Sequence, residues 1–338
     1  DWMLLLVYII LVSFGILNVY SATFSETSGG LFDLTQAVGK QFFFLIFSLF
    51  IGIIILSVNS KFFQKFASLG YFISLLLLLG LFVFGNTVSG ATSWYNIGGI
   101  SFQPSELAKV ATALMIASLL SKFQSDIQTP RTLFKIGAYV LFPFFLIVLQ
   151  PDPGSALVFG AFFFPLFREG LHYSYLIIFL SVLSLFFITL SFPFGVVVGI
   201  IILLIFLLYL IFKKLNPKTK IWPFLFFLMI SIGFSFSVDY IFDNVFQQRH
   251  RDRINIVLGK EVDIQGVGYN INQSKIAIGS GGLKGKGFLE GTQTKGDFVP
   301  EQHTDYIFST IGEEWGFRGG FFLIFLFCLL ILRIILQA

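Results

Sequence analysis

Cysteine and histidine are almost missing from this sequence, and charge is scarce. The single cysteine, Cys328, excludes an intrachain disulfide, and it lies in an apolar run where packing or lipid contact is its expected use. The 3 histidines are far apart and lack the spacing of a zinc site. Charged residues make up 12% of the chain, against about 25% in soluble domains. That shortage excludes an ordinary soluble enzyme. No cleavable signal peptide is recognisable. No internal repeat is visible either, which disfavours a transporter built from inverted repeats.

What is present is apolar: 56% of the 338 residues are hydrophobic, and 47 are phenylalanine. Apolar runs of about 18 residues or more read as membrane-spanning helices. The sequence predicts an all-α polytopic membrane protein with about ten transmembrane helices, at 2–20, 41–58, 66–84, 105–121, 136–150, 154–167, 173–192, 194–212, 222–241 and 306–332. The loops at 59–65, 122–135, 168–172 and 213–221 are basic, and all fall on one side if the spans alternate. Lys and Arg concentrate in cytoplasmic loops, so the amino terminus is expected in the cytoplasm. The +4 net charge is then mainly a topology signal and needs no nucleic acid partner. The domains follow: a bundle over 1–241, a long and partly ordered extracytoplasmic loop over 242–304, and a final helix over 305–338. A loop of about 60 residues is usually functional or disordered. This one carries apolar residues such as Ile254, Val257, Ile276 and Ile278 at intervals, so order against the membrane face is expected.

Charged side chains at membrane depth cost about 2.5–3.5 kcal/mol each, so they mark sites by default. Glu106 and Lys109 are three apart on a helix beginning near Pro104, a spacing that lets them pair. The alternative is an ion pair that only fixes packing. Trp94 precedes that helix at the outer interface, where a lone Trp is more often an interfacial anchor than a substrate contact. Asp152 sits in QPDPGSA (150–156), a Pro/Gly break between apolar runs, where it lines a cavity or caps a helix. In the long loop, Asp263 follows the basic run QQRHRDR (247–253), and GSGGLKGKG (279–287) lies further on. Glycines let backbone N–H groups approach an anion, and Lys275, Lys284 and Lys286 add charge. The plainer alternative is a glycine-rich turn with solvated lysines. A Walker A loop is excluded, because Ser280 and Gly287 occupy its first glycine and its Ser/Thr positions. Asp305, Ser309 and Glu313 recur every four residues and would share a helix face. Residues alone thus predict a polar, water-accessible cavity open outward, fit for an anionic lipid-linked substrate, or for an ion or proton pathway.

Taken together, GATSW (90–94), FQPSELAK (102–109), QPDPGSA (150–156), GVGYNINQSKIAIGSGGLKGKG (266–287), GTQT (291–294), FVPEQHTDYIF (298–308) and GEEWGF (312–317) resemble the SEDS family, the RodA and FtsW proteins of bacterial cell-wall synthesis. The match runs in order across nearly the whole chain. Ser93, where division homologues usually have a base, leans toward the RodA branch. The resemblance implies a peptidoglycan glycosyltransferase that polymerises lipid II at the outer face of the cytoplasmic membrane, beside a class B penicillin-binding protein. It places the essential acid at Asp263, where the chain has Asp263–Ile264 and the family usually has Asp-Pro. It also implies substrate contacts at Trp94, Glu106, Lys109, Asp152, Arg253, Gln273, Ser274, Lys275, Lys286, His303, Asp305 and Glu313. Asp263 would be general base on an acceptor hydroxyl. Lys109, Arg253 and the region from Lys275 to Lys286 would stabilise pyrophosphate charge. A divalent cation bridging carboxylate and pyrophosphate is compatible with this, but no ligand spacing demonstrates one. Two departures are expected: an extra helical hairpin over 173–212, and truncation before the family's last two helices. A lipid II flippase and a non-enzymatic scaffold for the penicillin-binding protein are the competing readings, with a related lipid-linked sugar ligase as a third, weaker one. The first weights Glu106 and Lys109 as heavily as Asp263, and the second makes Asp263 dispensable.

Overall fold

The structure is a computed structural model that describes residues 1–24, 33, 36–88, 90–97, 100–121, 127–246, 248–260 and 267–337. In chain order the helices are α1 (Trp2–Thr23), α2 (Ala37–Ser57), α3 (Ser60–Phe84), α4 (Pro104–Leu120), α5 (Pro130–Leu149), α6 (Pro153–Leu157), α7 (Phe163–Arg168), α8 (Tyr173–Ser191), α9 (Phe194–Leu215), α10 (Trp222–Asn244), α11 (Gln248–Val257), α12 (Val267–Gly281), α13 (Thr292–Lys295), α14 (Ile307–Glu314) and α15 (Gly316–Gln337). Among the described residues, 8 helices are long and apolar enough to cross a membrane: α1, α2, α3, α5, α8, α9, α10 and α15. The protein is an all-α polytopic membrane protein.

Three expected spans differ in form. The span at 105–121 is α4, of 17 residues. The span at 154–167 is α6, a 3-10 turn over Val158–Phe162, and α7. Pro153 opens α6, and Pro165 lies early in α7; proline lacks the N–H that would continue a regular helix. The span at 306–332 is broken at Trp315: α14 has 8 residues, too few to cross a bilayer, and α15 makes the crossing. Gly316, at φ +64°, supplies the break.

The chain divides into two compact units, Ile54–Ile188 and Asp1–Ile53 with Thr189–Ala338. In the first of these, α3 packs on α4 and α5 around Tyr71, Leu75, Leu78, Leu81, Ala108, Leu146, Ile147 and Phe159. A small antiparallel sheet, absent from the sequence expectation, fills the loop between α3 and α4. Its strands are β1 (Asn86–Val88), β2 (Ala91–Ile97) and β3 (Ile100–Phe102), in that order, with Asn86 opposite Trp94 and Tyr95 opposite Phe102. Thr92, Trp94, Tyr95 and Ile97 of β2 are residue types that suit a strand. The Tyr95 hydroxyl pins the sheet to α3 by donating to the Leu77 carbonyl at 2.8 Å.

In the other unit α1 lies along α14 and α15, with the Phe14 ring edge-on to Trp315 (5.4 Å) and Phe322 (5.9 Å). α9 and α10 form an antiparallel pair. The end of α8 joins α10 through a buried Thr189–Ser235 hydroxyl bond of 2.9 Å.

Candidate functional site

Four of the sequence-predicted residues fall in the Ile54–Ile188 unit. Pro104 opens α4 and Glu106 sits in its first turn, where an acid complements the helix dipole. The Lys109 ammonium donates to Glu106 Oε1 at 2.6 Å, as the three-residue spacing predicts. Asp152 is the N-cap of α6, its Oδ1 accepting from the Ser155 amide at 3.1 Å. Its Oδ2 accepts from Gln103 Nε2 at 2.9 Å, and Gln103 is the N-cap residue of α4. One amide therefore holds the starts of α4 and α6 together and gathers Glu106, Lys109 and Asp152 at a single end of the unit. Trp94, half-buried, belongs to β2. Sequence reasoning passed over Gln103, whose partner Asp152 is 49 residues away, a separation that no local spacing reveals.

The other unit builds its polar cluster on Glu313. This carboxylate, expected to contact substrate, is fully buried at 0% exposure. Its Oε1 accepts from Lys286 Nζ at 2.7 Å and the Gln293 amide at 2.9 Å. Its Oε2 accepts from the Thr294 amide at 2.9 Å and the Thr294 hydroxyl at 2.8 Å. Burial alone would raise its pKa, but Lys286 and these donors outweigh that and hold it below the ordinary carboxylate value. Lys286, expected to meet pyrophosphate, is paired to this buried acid and also donates to Thr292 Oγ1 at 2.7 Å.

The glycines of GSGGLKGKG have a structural use that the sequence does not disclose. They let two backbones touch. The Lys286 amide donates to the Glu313 carbonyl and the Gly287 amide to the Glu314 carbonyl, both at 3.0 Å, while the Phe317 amide donates to the Gly282 carbonyl at 2.8 Å. A Cβ on Gly281 would lie 2.0 Å from the Gly312 carbonyl oxygen, and one on Gly285 would lie 2.0 Å from that of Glu314. The expected anion cradle is, in the described residues, a docking surface for the GEEWG turn.

Glu314 faces α1. It is 2% exposed and accepts from the Ser21 hydroxyl, and its other oxygen has no hydrogen-bond partner among the described residues. Burial pushes its pKa up, and the Glu313 charge adds to that; Ser21, the Leu289 amide and Lys295 pull the other way. Trp315 Nε1 donates to Asn18 Oδ1 at 3.1 Å, and Gln302 Nε2 donates to the Ala22 carbonyl at 3.1 Å. The carboxyl end of α1 is thus tied to the 302–315 segment. Asn18 and Ser21 escaped the sequence reading, although an amide within an apolar run is a signal of protein contact.

The remaining residues are dispersed. Gln273 and Ser274 are half-buried on α12, and Lys275 is exposed. Arg253 lies on α11. His303 and Asp305 precede α14, so Asp305 does not share a helix with Ser309 and Glu313 as its spacing suggested. Asp263 lies outside the described residues. No cluster of three or more metal-ligating acid, histidine or cysteine side chains occurs among the described residues.

The sequence matches the FtsW/RodA/SpoVE family, described as cell cycle protein, over residues 1–197 and 194–338. The chain belongs to this family. The two matched pieces overlap at 194–197, in the first turn of α9. Peptidoglycan glycosyltransferase MrdB of Escherichia coli K12 is 32% identical over 337 residues, covering 98% of this chain and 74% of MrdB. Peptidoglycan glycosyltransferase RodA of Treponema pallidum is 31% identical over 358 residues, covering 98% and 81%. Among solved structures, a chain of a peptidoglycan synthase complex superposes with a TM-score of 0.63 at 24% identity, covering 98% of this chain and 76% of that one. The crystal structure of Thermus thermophilus RodA gives 0.51 at 22% identity, covering 98% and 73%. These two likenesses establish the fold of the family member.

Proposed function

We propose that this family member is a peptidoglycan glycosyltransferase that polymerises lipid II into glycan strands at the outer face of the bacterial cytoplasmic membrane, in the service of cell elongation and rod shape. The observation that carries the reading is the match over 98% of the chain to two relatives, MrdB and RodA, both named peptidoglycan glycosyltransferase. The basic loops support an amino terminus in the cytoplasm and a 242–304 segment outside. The partners are lipid II, the surrounding membrane lipids and a class B penicillin-binding protein that crosslinks the strands.

In the proposed reaction, Asp263 takes the proton from an acceptor sugar hydroxyl. The hydroxyl oxygen attacks the anomeric carbon of the donor, and the bond from that carbon to the lipid pyrophosphate breaks with its electron pair. Attack opposite the leaving group converts an α-linked donor to a β-linked glycan. Lys109, Arg253, Lys275 and Lys284 are the candidate bases for the leaving pyrophosphate; Lys275 and Lys284 are exposed. Lys286 already neutralises a buried acid, so its contribution passes to fixing the loop.

The test is polymerisation of lipid II by the full-length protein with its penicillin-binding partner, whose transpeptidase is inactivated. Strands from the native protein and none from a folded Asp263→Ala variant are expected. Equal strand yield from both overturns the role of Asp263, and no strands from either overturns the enzyme reading.

A further inference from the structure

The last turn of α9 and the loop that joins it to α10 carry Lys213, Lys214, Lys218 and Lys220, and the proposed reaction has no use for them. Setting the orientation of a span takes fewer: the loop at 59–65 holds two lysines, and the loop at 168–172 holds a single arginine beside Glu169. All four lysines are exposed, and none belongs to an ion pair among the described residues. α9 has no acid, and the first acid on α10, Asp239, stands about 25 Å along the helix from Trp222. The end of this helix pair is therefore a positive patch with no internal counter-charge on either helix.

The depth of the patch is marked by its aromatic neighbours. Trp222 opens α10 and is 74% exposed, and Tyr209 lies one turn before Lys213. Trp and Tyr near the ends of membrane spans sit at the level of the lipid headgroups. Lys213 Nζ lies 5.4 Å from the centre of the Tyr209 ring, so its stem folds back along α9 and its ammonium stays at that level. Leu215 and Ile221 are exposed among the lysines, which makes the surface amphipathic as interfacial surfaces are. The loop is also held in one shape. The Asn216 amide donates to the Phe212 carbonyl at 2.8 Å, the Lys218 amide to Asn216 Oδ1 at 3.2 Å and the Thr219 hydroxyl to the Asn216 carbonyl at 2.6 Å. Across the pair, the Phe224 ring meets Tyr209 at 5.4 Å and Phe212 at 5.9 Å. A surface fixed before binding loses less entropy when it binds.

We propose that the α9–α10 turn is a binding surface for anionic phospholipids. The four ammonium groups meet the phosphodiester oxygens, and Leu215, Ile221 and Trp222 meet the upper part of the acyl chains. Charge complementarity selects the lipid class. Lysines beside a membrane gain from anionic headgroups, whereas a zwitterionic headgroup brings a cation of its own against them. The surface depends on α9 and α10 being membrane spans and not on which side their turn faces, because both leaflets of a vesicle of uniform composition offer the same headgroups.

The test reconstitutes the full-length protein in phosphatidylcholine vesicles that contain rising fractions of phosphatidylglycerol or phosphatidylcholine brominated on the acyl chains. Bromine quenches a tryptophan at contact range, and the Trp222 share of the fluorescence is the difference between the native protein and Trp222→Phe. Brominated phosphatidylglycerol is expected to quench that share at an about fivefold lower mole fraction than brominated phosphatidylcholine, which is what one lysine contributes near an anionic surface. Salt at about 1 M should remove the preference. Lys213→Gln, Lys214→Gln, Lys218→Gln and Lys220→Gln together should bring the two lipids level, while arginine at the same four positions should keep the preference. Equal quenching by the two lipids in the native protein overturns the proposal, and so does a preference that survives in the glutamine variant. In the native protein, a preference that high salt leaves unchanged overturns its electrostatic basis whatever the variants do.

Discussion

Two glutamate–lysine pairs in this protein have nearly the same length, 2.6 Å for Glu106–Lys109 and 2.7 Å for Glu313–Lys286. In other respects they are opposites. The first joins neighbours on one helix face, and the Glu106 side chain is 60% exposed. The second joins residues 27 apart in sequence, and the Glu313 side chain is 0% exposed. Water can replace either partner of an open pair at little cost, so such a pair can open to meet a ligand. A buried pair cannot lose one member without stranding the other charge. The same two residue types therefore make an adaptable contact in one unit and a lock in the other.

The contrast can be broken most forcefully at the lock. Glu313→Ala strands the Lys286 ammonium and removes the acceptor of the Gln293 and Thr294 amides. A destabilisation of about 3–5 kcal/mol is expected, read as a large fall in Tm of the purified protein in detergent. A Tm near native would show that the pair is no lock. Gly281→Ala tests the backbone contact beside it, since its Cβ would fall 2.0 Å from the Gly312 carbonyl oxygen. Backbone yields less readily than a side chain, and a loss on the order of 3 kcal/mol is expected in the same measurement.

The adjacent acids sharpen the comparison through pH. The folded pKa of Glu313 lies below its ordinary value of 4.5, so its contribution is full above 4.5 and fades as pH falls through the lowered value. Glu314 has the opposite sign. Its folded pKa is raised above 4.5, so the folded state holds the proton longer, and stability declines as pH rises from 4.5 through the raised value. Glu314→Gln should abolish that decline, so that Tm no longer falls as pH rises above 4.5. A decline that persists in this variant would assign it to other groups. The smallest effect belongs to the open pair. Glu106→Gln should change stability by less than about 1 kcal/mol while slowing glycan synthesis. A Tm loss equal to that of Glu313→Ala would erase the distinction between the two pairs.

What could be read in the sequence follows the same division between local and distant partners. The long apolar runs, the Glu106–Lys109 pairing, the helix start at Pro104 and the cap at Asp152 all depend on residues within a few positions of one another. Spacing reveals these. The partner of Lys286 is 27 residues away and that of Ser21 is 293 away, and no periodicity connects them. GSGGLKGKG read as an anion cradle because glycine frees backbone N–H groups for any acceptor, and only the fold shows that the acceptors are the Glu313 and Glu314 carbonyls. The break at Trp315 was hidden by apolar flanks. Its signal was the adjacent acids Glu313 and Glu314 with Gly316 two residues on, a composition that a continuous membrane helix does not tolerate.

The bond between Ser21 and Glu314 has a consequence for how the protein is made. Its two residues are 293 positions apart. At about 5–20 residues per second, a ribosome needs roughly 15–60 s to deliver the second after the first. Through that interval α1 is already synthesised, and its polar face has no tertiary partner. The Asn18 amide group meanwhile bonds to the Phe14 carbonyl of its own helix, at 2.7 Å. The first span therefore enters the bilayer with part of its polarity satisfied internally, and assembly of this unit is completed only when translation has passed Trp315.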